Sequence, residues 1–384
     1  MSGHAGCPAC GNASLESMGS VGPVPVLCGS LWDSREEAIA TPTASLDLVV
    51  CHRCAHVWNA TFDPELVDYQ ANYDNALDFS LTFRDYTRDL VDHLVDRFDL
   101  RGRNVAEIGS GKGEFLRQLC ARGGSRGIGY DPTYEGPDRQ GDVEFVREFF
   151  APGSAPGDVD FVCCRHVLEH VADPVRFLTE VRLAVGGRPV PMYFEVPNAE
   201  FNFAESGPWD LIYPHVGYFN EESLSLAMTR AGFRVLEIRP AFHHQFLAAE
   251  VIPDSRAAQA GGLPPPSLAV SMVQALQRQL FASDAWRGRL GELVRRGPVG
   301  LWGAGSKGVT FLSLVDPNCT IGSVVDANPR KWGRVLPASG LAVVAPAQAA
   351  GQRLQTVLVM NRAYMNEISG SLAKMGSKAS VVPV

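Results

Sequence analysis

Asn104-Val105-Ala106-Glu107-Ile108-Gly109-Ser110-Gly111-Lys112-Gly113 is the stretch on which the fold of this chain turns. A short apolar run carries an acid near its end, glycines follow at alternate positions, and apolar residues then recur with helical spacing at Phe115, Leu116, Leu119 and Cys120. That order predicts a buried parallel strand turning tightly onto a helix, the repeating unit of α/β sheets. Glycine places no Cβ between backbone and ligand, so the turn also predicts close approach of a small molecule. The spacing is G-x-G-x-G, not the G-x-G-x-x-G of a dinucleotide fingerprint. By itself it is equally what any tight strand-to-helix connection needs.

Further strands are expected on either side of this turn. Ser125–Pro132 reads as a second strand with Asp131 at its tip, about 20 residues past the glycines, where a doubly wound fold holds a ribose hydroxyl. Asp142–Val146 reads as a third, with Arg147-Glu148-Phe149-Phe150 at its exit. Asp160–Cys164 is a fourth, and Asp173-Pro174 then caps a helix whose apolar face is Val175, Leu178, Val181 and Val185. His166 and His170 stand at the exit of that strand, where open sheets place their ligands. Pro191–Asn198 is a fifth, and Phe233–Ile238 with Gln245–Glu250 reads as a closing hairpin. Upstream, Asp63-Pro64 opens a pattern that reads as helical from Thr61 to Phe98, with Tyr69, Tyr73 and Phe79 in the approach to the glycine strand.

The cysteines point to metal. Cys7-Pro8-Ala9-Cys10 and Cys51-His52-Arg53-Cys54 are two C-x-x-C knuckles, and together they can complete a tetrahedral four-thiolate site for structural zinc. The competing reading is two unrelated reduced pairs. Four cysteines leave no open coordination position, so such a zinc would be structural; His52 and His56 read as neighbours. Cys28, Cys120, Cys163, Cys164 and Cys319 lack partner spacing and read as small core residues. The chain has 384 residues and a net charge of −8, enough length for two or three domains and the wrong sign for a nucleic-acid partner. No apolar run is long enough to span a bilayer and the N-terminus has no leader pattern, so the expectation is a cytoplasmic protein without membrane or nucleic-acid partners.

With Glu107 two residues before the first glycine, the turn resembles motif I of class I methyltransferases that use S-adenosylmethionine (SAM). His166-Val167-Leu168-Glu169-His170-Val171-Ala172-Asp173-Pro174 resembles motif IV of small-molecule methyltransferases. Glu195-Val196-Pro197, followed by Asp210, Ile212-Tyr213, His215 and Tyr218-Phe219, is similar to the sugar C-methyltransferases of deoxysugar biosynthesis and their wider relatives. The resemblance runs over nearly the whole chain. It implies a class I methyltransferase core, a Rossmann-like doubly wound α/β sheet, between a zinc-binding domain and a smaller Rossmann-like α/β domain. The expected divisions are 1–75 (zinc), 76–252 (methyltransferase core), 253–297 (helical linker) and 298–384 (C-terminal α/β domain).

The same resemblance implies the site. SAM is expected on Glu107, Gly109, Gly111, Gly113 and Asp131, with Tyr73 and His166 within reach, since an aromatic face attracts a sulfonium. The acceptor is expected to be a small molecule, a keto-sugar nucleotide or related natural-product intermediate, methylated at carbon through an enolate. His215 is the expected base because imidazole titrates near working pH, with Tyr213, His170 and His166 orienting the acceptor or stabilising its oxygen. The chain departs from the family in two places. Tyr213-Pro214-His215 stands where the sugar enzymes carry Tyr-His-Glu-His, so a glutamate is lost, and His166 stands where they tend to carry Asn. O- or N-methyl transfer would tolerate the missing glutamate and is the alternative chemistry. A zinc-ribbon interaction module on an inactive fold is a further reading, against which the intact glycines, Asp131 and His215 count.

A second α/β unit begins at Pro298. Gly303-Ala304-Gly305-Ser306-Lys307-Gly308 is a true G-x-G-x-x-G after a strand, and Asp326 ends the next strand. This makes an NAD- or nucleotide-binding protein the alternative from another class. Little more than half a Rossmann fold remains after Pro298, and the resemblance assigns this part to the C-terminal domain of the C-methyltransferases.

Overall fold

The computed structural model describes residues 6–67, 76–151, 153–154, 157–186, 188–205, 207–254 and 267–384. The N-terminal part comprises β1 (Leu15–Pro25), a short helix α1 (Arg35–Ile39), β2 (Thr43–Cys51) and β3 (Val57–Asn59). β1 and β2 pair antiparallel, Leu15 opposite Cys51 and Pro25 opposite Thr43. The central part runs α2 (Leu81–Arg97), β4 (Asn104–Ile108), α3 (Glu114–Gly123), β5 (Arg126–Tyr130), β6 (Arg139–Gln140), β7 (Val143–Val146), β8 (Phe161–Arg165), α4 (Pro174–Ala184), β9 (Met192–Pro197), α5 (Ala199–Ala204), β10 (Gly217–Tyr218), α6 (Glu221–Arg230), β11 (Phe233–Ala241) and β12 (Phe246–Pro253).

Its eight-stranded sheet has the order β11-β12-β9-β8-β4-β5-β7-β6. β4 pairs parallel with β5 on one side and with β8 on the other, so the winding reverses beside the glycine-rich strand. A crevice opens at the strand ends wherever an open sheet reverses in this way, and that is where ligands bind. β4 is buried on both faces from Val105 to Ile108, which is why it reads as apolar but for Glu107. Asp173 caps α4 as expected, its Oδ1 accepting the Arg176 N–H at 3.0 Å. The helical pattern over 61–98 is not one helix: Asp63-Pro64 caps a single turn, Pro64–Leu66, and α2 starts only at Leu81.

The C-terminal part holds α7 (Ser267–Arg296), β13 (Val299–Trp302), α8 (Ser306–Val315), β14 (Ser323–Val325), β15 (Val343–Val344), α9 (Pro346–Gly351), β16 (Thr356–Val359), α10 (Met365–Lys374) and β17 (Ser380–Pro383). Its all-parallel sheet, β15-β14-β13-β16-β17, reverses between β13 and β16. No described helix is long and apolar enough to cross a membrane.

Packing crosses the divisions proposed at 75, 252 and 297. β10 adds to the edge of the N-terminal sheet, with Gly217 opposite Trp58 and Tyr218 opposite Val57. One core joins Val24, Leu46 and Leu48 to Trp209, Leu276, Phe311 and Leu358, and so contains residues of all three parts. Glu367 of α10 accepts from Ser80 Oγ (2.7 Å) and the N–H groups of Leu81 and Thr82, capping α2 across the cleft. These contacts fix the two Rossmann-like sheets around a common cavity.

Candidate functional site

A cavity of about 850 Å³ lies at the reversal point of the central sheet and extends to the fingerprint loop of the C-terminal sheet. The glycines of the first turn serve different ends. Gly109 has φ +72°, and a Cβ there would sit 2.2 Å from Val167 Cγ2. Gly111 has φ +52° with nothing within 4 Å of a Cβ, so its backbone faces open space in the cavity. Gly113 differs from the expectation. It caps α3 at φ +77°, a Cβ would sit 2.4 Å from the Phe145 ring, and it does not line the cavity. Its glycine is required by packing of the turn on β7.

Asp131 lines the cavity beside Gly111, whose N–H it accepts at 2.7 Å, while its other oxygen takes the Thr133 N–H and hydroxyl at 2.8 and 2.6 Å. Glu107 also lines the cavity. It is 2% exposed, its Oε2 has no partner, and burial pushes its carboxyl up to about 8 against the pull of Arg165. A buried carboxyl with one unpartnered oxygen, beside an open glycine backbone and an Asp at the tip of the next strand, makes a recess for a donor-bearing molecule, and SAM fits it. Phe79, Phe149 and Phe150 add aromatic surface to the same cavity. Tyr69 and Tyr73, expected in the approach, lie outside the described residues.

Beyond Gly111 the cavity wall carries His166, Glu169, His170 and His215. His166 has φ +56°; its Nε2 lies 3.1 Å from Glu195 Oε1 and its Nδ1 3.6 Å from Glu169 Oε1. Burial works against its charge, but the two carboxylates outweigh it and hold the imidazole at about 9. Glu195 is wholly buried and accepts from Arg165 (2.8 Å), Tyr193 (2.8 Å) and Tyr86. Arg165 and His166 overcome the burial and keep its carboxyl well below the usual range. Sequence reasoning missed this anchor. Its signal was an acid inside an otherwise apolar strand, which only a buried cationic partner makes tolerable.

His170 and His215 meet edge to face with ring centroids 5.0 Å apart. His170 Nδ1 lies 2.9 Å from Pro214 O. Burial, then His170, lowers His215 to about 3, and its buried Nδ1 has no partner. Tyr213 is not on this wall. The turn closed by the His215 N–H on Ile212 O sends Ile212 and His215 into the cavity and Tyr213 the other way. Tyr213 is 1% exposed, its ring packs on Phe62 at 5.5 Å, and its hydroxyl accepts the Asp63 N–H at 3.0 Å. The role expected for it in orienting the acceptor is therefore corrected to a structural one.

The fingerprint loop of the C-terminal sheet closes the far side with Gly303, Gly305, Ser306 and Lys307. Asp326 Oδ2 accepts the Ala304 N–H at 2.8 Å, and buried Lys331 lies 3.6 Å from the same oxygen. Lys307 Nζ pairs with Asp210 at 2.7 Å.

Cys7, Cys10, Cys51 and Cys54 converge as a buried cluster away from this cavity, with Sγ atoms 3.7 Å apart for Cys7 and Cys54 and 3.5 Å for Cys10 and Cys51. Four thiolates about 2.3 Å from a tetrahedral zinc stand roughly 3.8 Å from one another, so the cluster fits the ion. His56 is buried against Phe219 and His52 pairs with Glu16 at 3.1 Å; neither belongs to the cluster. Asn220, the cap of α6, donates to the knuckle carbonyls of Cys54 and Ala55.

Residues 82–238 match the family described as methyltransferase domain, and residues 284–383 the family described as C-methyltransferase C-terminal domain. The C-methyltransferase NovU of Streptomyces niveus is 26% identical, the alignment covering 94% of this chain and 90% of that protein. Among solved structures, a SAM-dependent methyltransferase of Aquifex aeolicus is 17% identical over 42% of this chain and 88% of its own, with a TM-score of 0.33. The 1,6-didemethyltoxoflavin N1-methyltransferase of Burkholderia thailandensis is 16% identical over 45% and 81%, with a TM-score of 0.37.

Proposed function

We infer that this SAM-dependent C-methyltransferase methylates a carbon next to a carbonyl group in a keto-sugar nucleotide or a related small molecule. The observation that carries the reading is that one cavity joins the Gly111–Asp131 cradle to the wall of His166, Glu169, His170 and His215, with the second glycine loop opposite. Bound in the cradle, SAM supplies an electrophilic methyl, and the protein's tasks are to orient the acceptor and to stabilise the charge that develops when its carbon loses a proton. Asp131 and the Gly111 backbone hold the cofactor end. His166, held cationic between two carboxylates, places positive charge where an enolate oxygen would form.

His215 belongs to the acceptor end and is the imidazole assigned to the acceptor step. A conjugate acid near 3 makes it a weak proton acceptor unless the acceptor's oxygen is strongly stabilised as the proton leaves. Lys307 and the Gly303–Gly308 loop face the same space, and a glycine turn at a helix start favours an anionic handle on the acceptor.

Incubation with methyl-labelled SAM and candidate ketosugar nucleotides tests the proposal directly. Label must appear on carbon, and solvent deuterium must enter the acceptor carbon without product forming. Methylation of oxygen or nitrogen with no such exchange refutes it. Asp131→Ala is expected to weaken SAM binding by about 1–3 kcal/mol, the range for hydrogen bonds to a charged group. Calorimetry showing unchanged affinity would remove Asp131 from the site. NAD is expected to give no saturable titration on the C-terminal loop. Tight binding there would promote the dinucleotide reading.

A further inference from the structure

We propose that Glu169, His170 and His215 form a second metal site, separate from the cysteine cluster, that takes a divalent transition-metal ion and through it the oxygens of the acceptor. Their donor atoms lie within 4.8 Å of one another on the cavity wall. An ion about 2.0–2.2 Å from nitrogen and oxygen ligands needs donors roughly 3–3.5 Å apart, which small side-chain rotations supply. The three come from two turns held independently: Leu168–His170 follows β8, and His215 precedes β10, which is pinned to the N-terminal sheet.

Three features of these side chains point to a ligand. Glu169 is 1% exposed and its Oε2 has no partner. His215 Nδ1 is likewise buried and unpartnered. Buried polar atoms are normally satisfied, and a cation between these two satisfies both. His170 donates Nδ1–H to Pro214 O, which places the lone pair on Nε2; metal-ligating histidines are typically fixed in this way by a carbonyl on the other ring nitrogen.

The bland reading makes Glu169 only the counter-ion of His166. That contact uses Oε1, at 3.6 Å, and leaves Oε2 unexplained. Lys307, the cation on the facing loop, is already paired with Asp210. Two imidazoles and one carboxylate suit zinc, iron, cobalt or manganese better than magnesium or calcium, and three ligands leave positions open toward the cavity. A carbonyl oxygen with a neighbouring hydroxyl is the acceptor group that would fill them. The ion would then stabilise negative charge on the oxygen beside the methylated carbon. An ion on His215 occupies the lone pair that direct proton acceptance would need. Metal binding and direct base catalysis by this residue are therefore exclusive.

The position of the ion beside the methyl acceptor rests on the methyl-transfer reading; the test of the site does not. The zinc-loaded full chain is titrated with Co²⁺ and followed by visible absorption and by metal analysis. One Co²⁺ per chain is expected in addition to the zinc, with the weak bands of a nitrogen and oxygen site. His215→Ala and Glu169→Gln are each expected to weaken it by about tenfold or more, with SAM affinity unchanged by calorimetry as the sign of an intact fold. Co²⁺ that binds only with intense thiolate absorption, or that binds equally well to both variants, overturns the proposal. A chain that fails to bind SAM but still takes Co²⁺ through these residues would sink the methyl-transfer reading and leave the site standing, and the converse holds.

Discussion

Replacing His215 with alanine is expected to lower turnover by about 10²–10⁴, the usual loss when a group acting on the transferred proton is removed, while the affinity for SAM stays at its wild-type value. The asymmetry follows from position. His215 lies on the wall shared with His170 and Glu169, whereas Gly111 and Asp131, which we propose hold the cofactor, are bonded to each other elsewhere on the cavity lining. A residue that acts as charge develops changes kcat more than binding. The bland alternative is a histidine that only packs, since its ring also lies 6.1 Å from that of Tyr218. Hydrogen exchange separates the two. A His215→Ala enzyme that exchanges the acceptor's carbon-bound proton with solvent at the wild-type rate removes His215 from the acceptor step, whether as base or as ligand, and leaves His170 and His166 as the next groups on the wall.

Removing the zinc is expected to have the other large effect, on folding first and on turnover as a consequence. Closed four-thiolate sites contribute about 10–16 kcal/mol of apparent binding energy, as much as the whole stability of an ordinary domain. Cys54→Ser should therefore lose both the ion and the ordered N-terminal sheet. The structure carries the damage further. The Asn59 N–H bonds Val216 O at 2.9 Å, and β10 pairs with β3, so the residues on either side of the turn that presents His215 depend on the sheet that the knuckles stabilise. Asn220 ties the Cys54 and Ala55 carbonyls to α6 in the same way. Hydrogen exchange should show protection lost in β1–β3 and β10 and retained in β4 and β5, with methyl transfer lost and SAM binding kept. Metal analysis that finds no zinc in protein purified without chelator would end the claim. Cys54→Ser that keeps full turnover would show that the N-terminal sheet does not position His215.

Local patterns were enough for much of this molecule. The strand Asn104–Ile108, the tight turn at Gly109 and Gly111 and the Asp173 cap stand where the residues predict, because a buried apolar run, a glycine turn and a cap are each specified by neighbours in the chain. The four cysteines were legible for the same kind of reason, since two C-x-x-C knuckles carry their own geometry. Asp131 and His215, singled out from sequence at two different strand exits, line one cavity.

Contacts between distant residues decided the rest. β10 is two residues long and has no periodicity to read; it is a strand because β3 offers it an edge. Tyr213 turns away from the site because the tight turn from Ile212 to His215 brings its two end residues to the cavity and leaves those between them facing elsewhere. Gly113 is required by Phe145, a ring on another strand. Glu195 is tolerable at zero exposure only because Arg165, Tyr86, Tyr193 and His166 surround it. The short-range pattern thus determined the glycine-rich strand, its turn and the neighbouring strands of the central sheet. The wall facing the acceptor was settled by tertiary structure, because buried charges take their stability from partners that sequence spacing does not reveal.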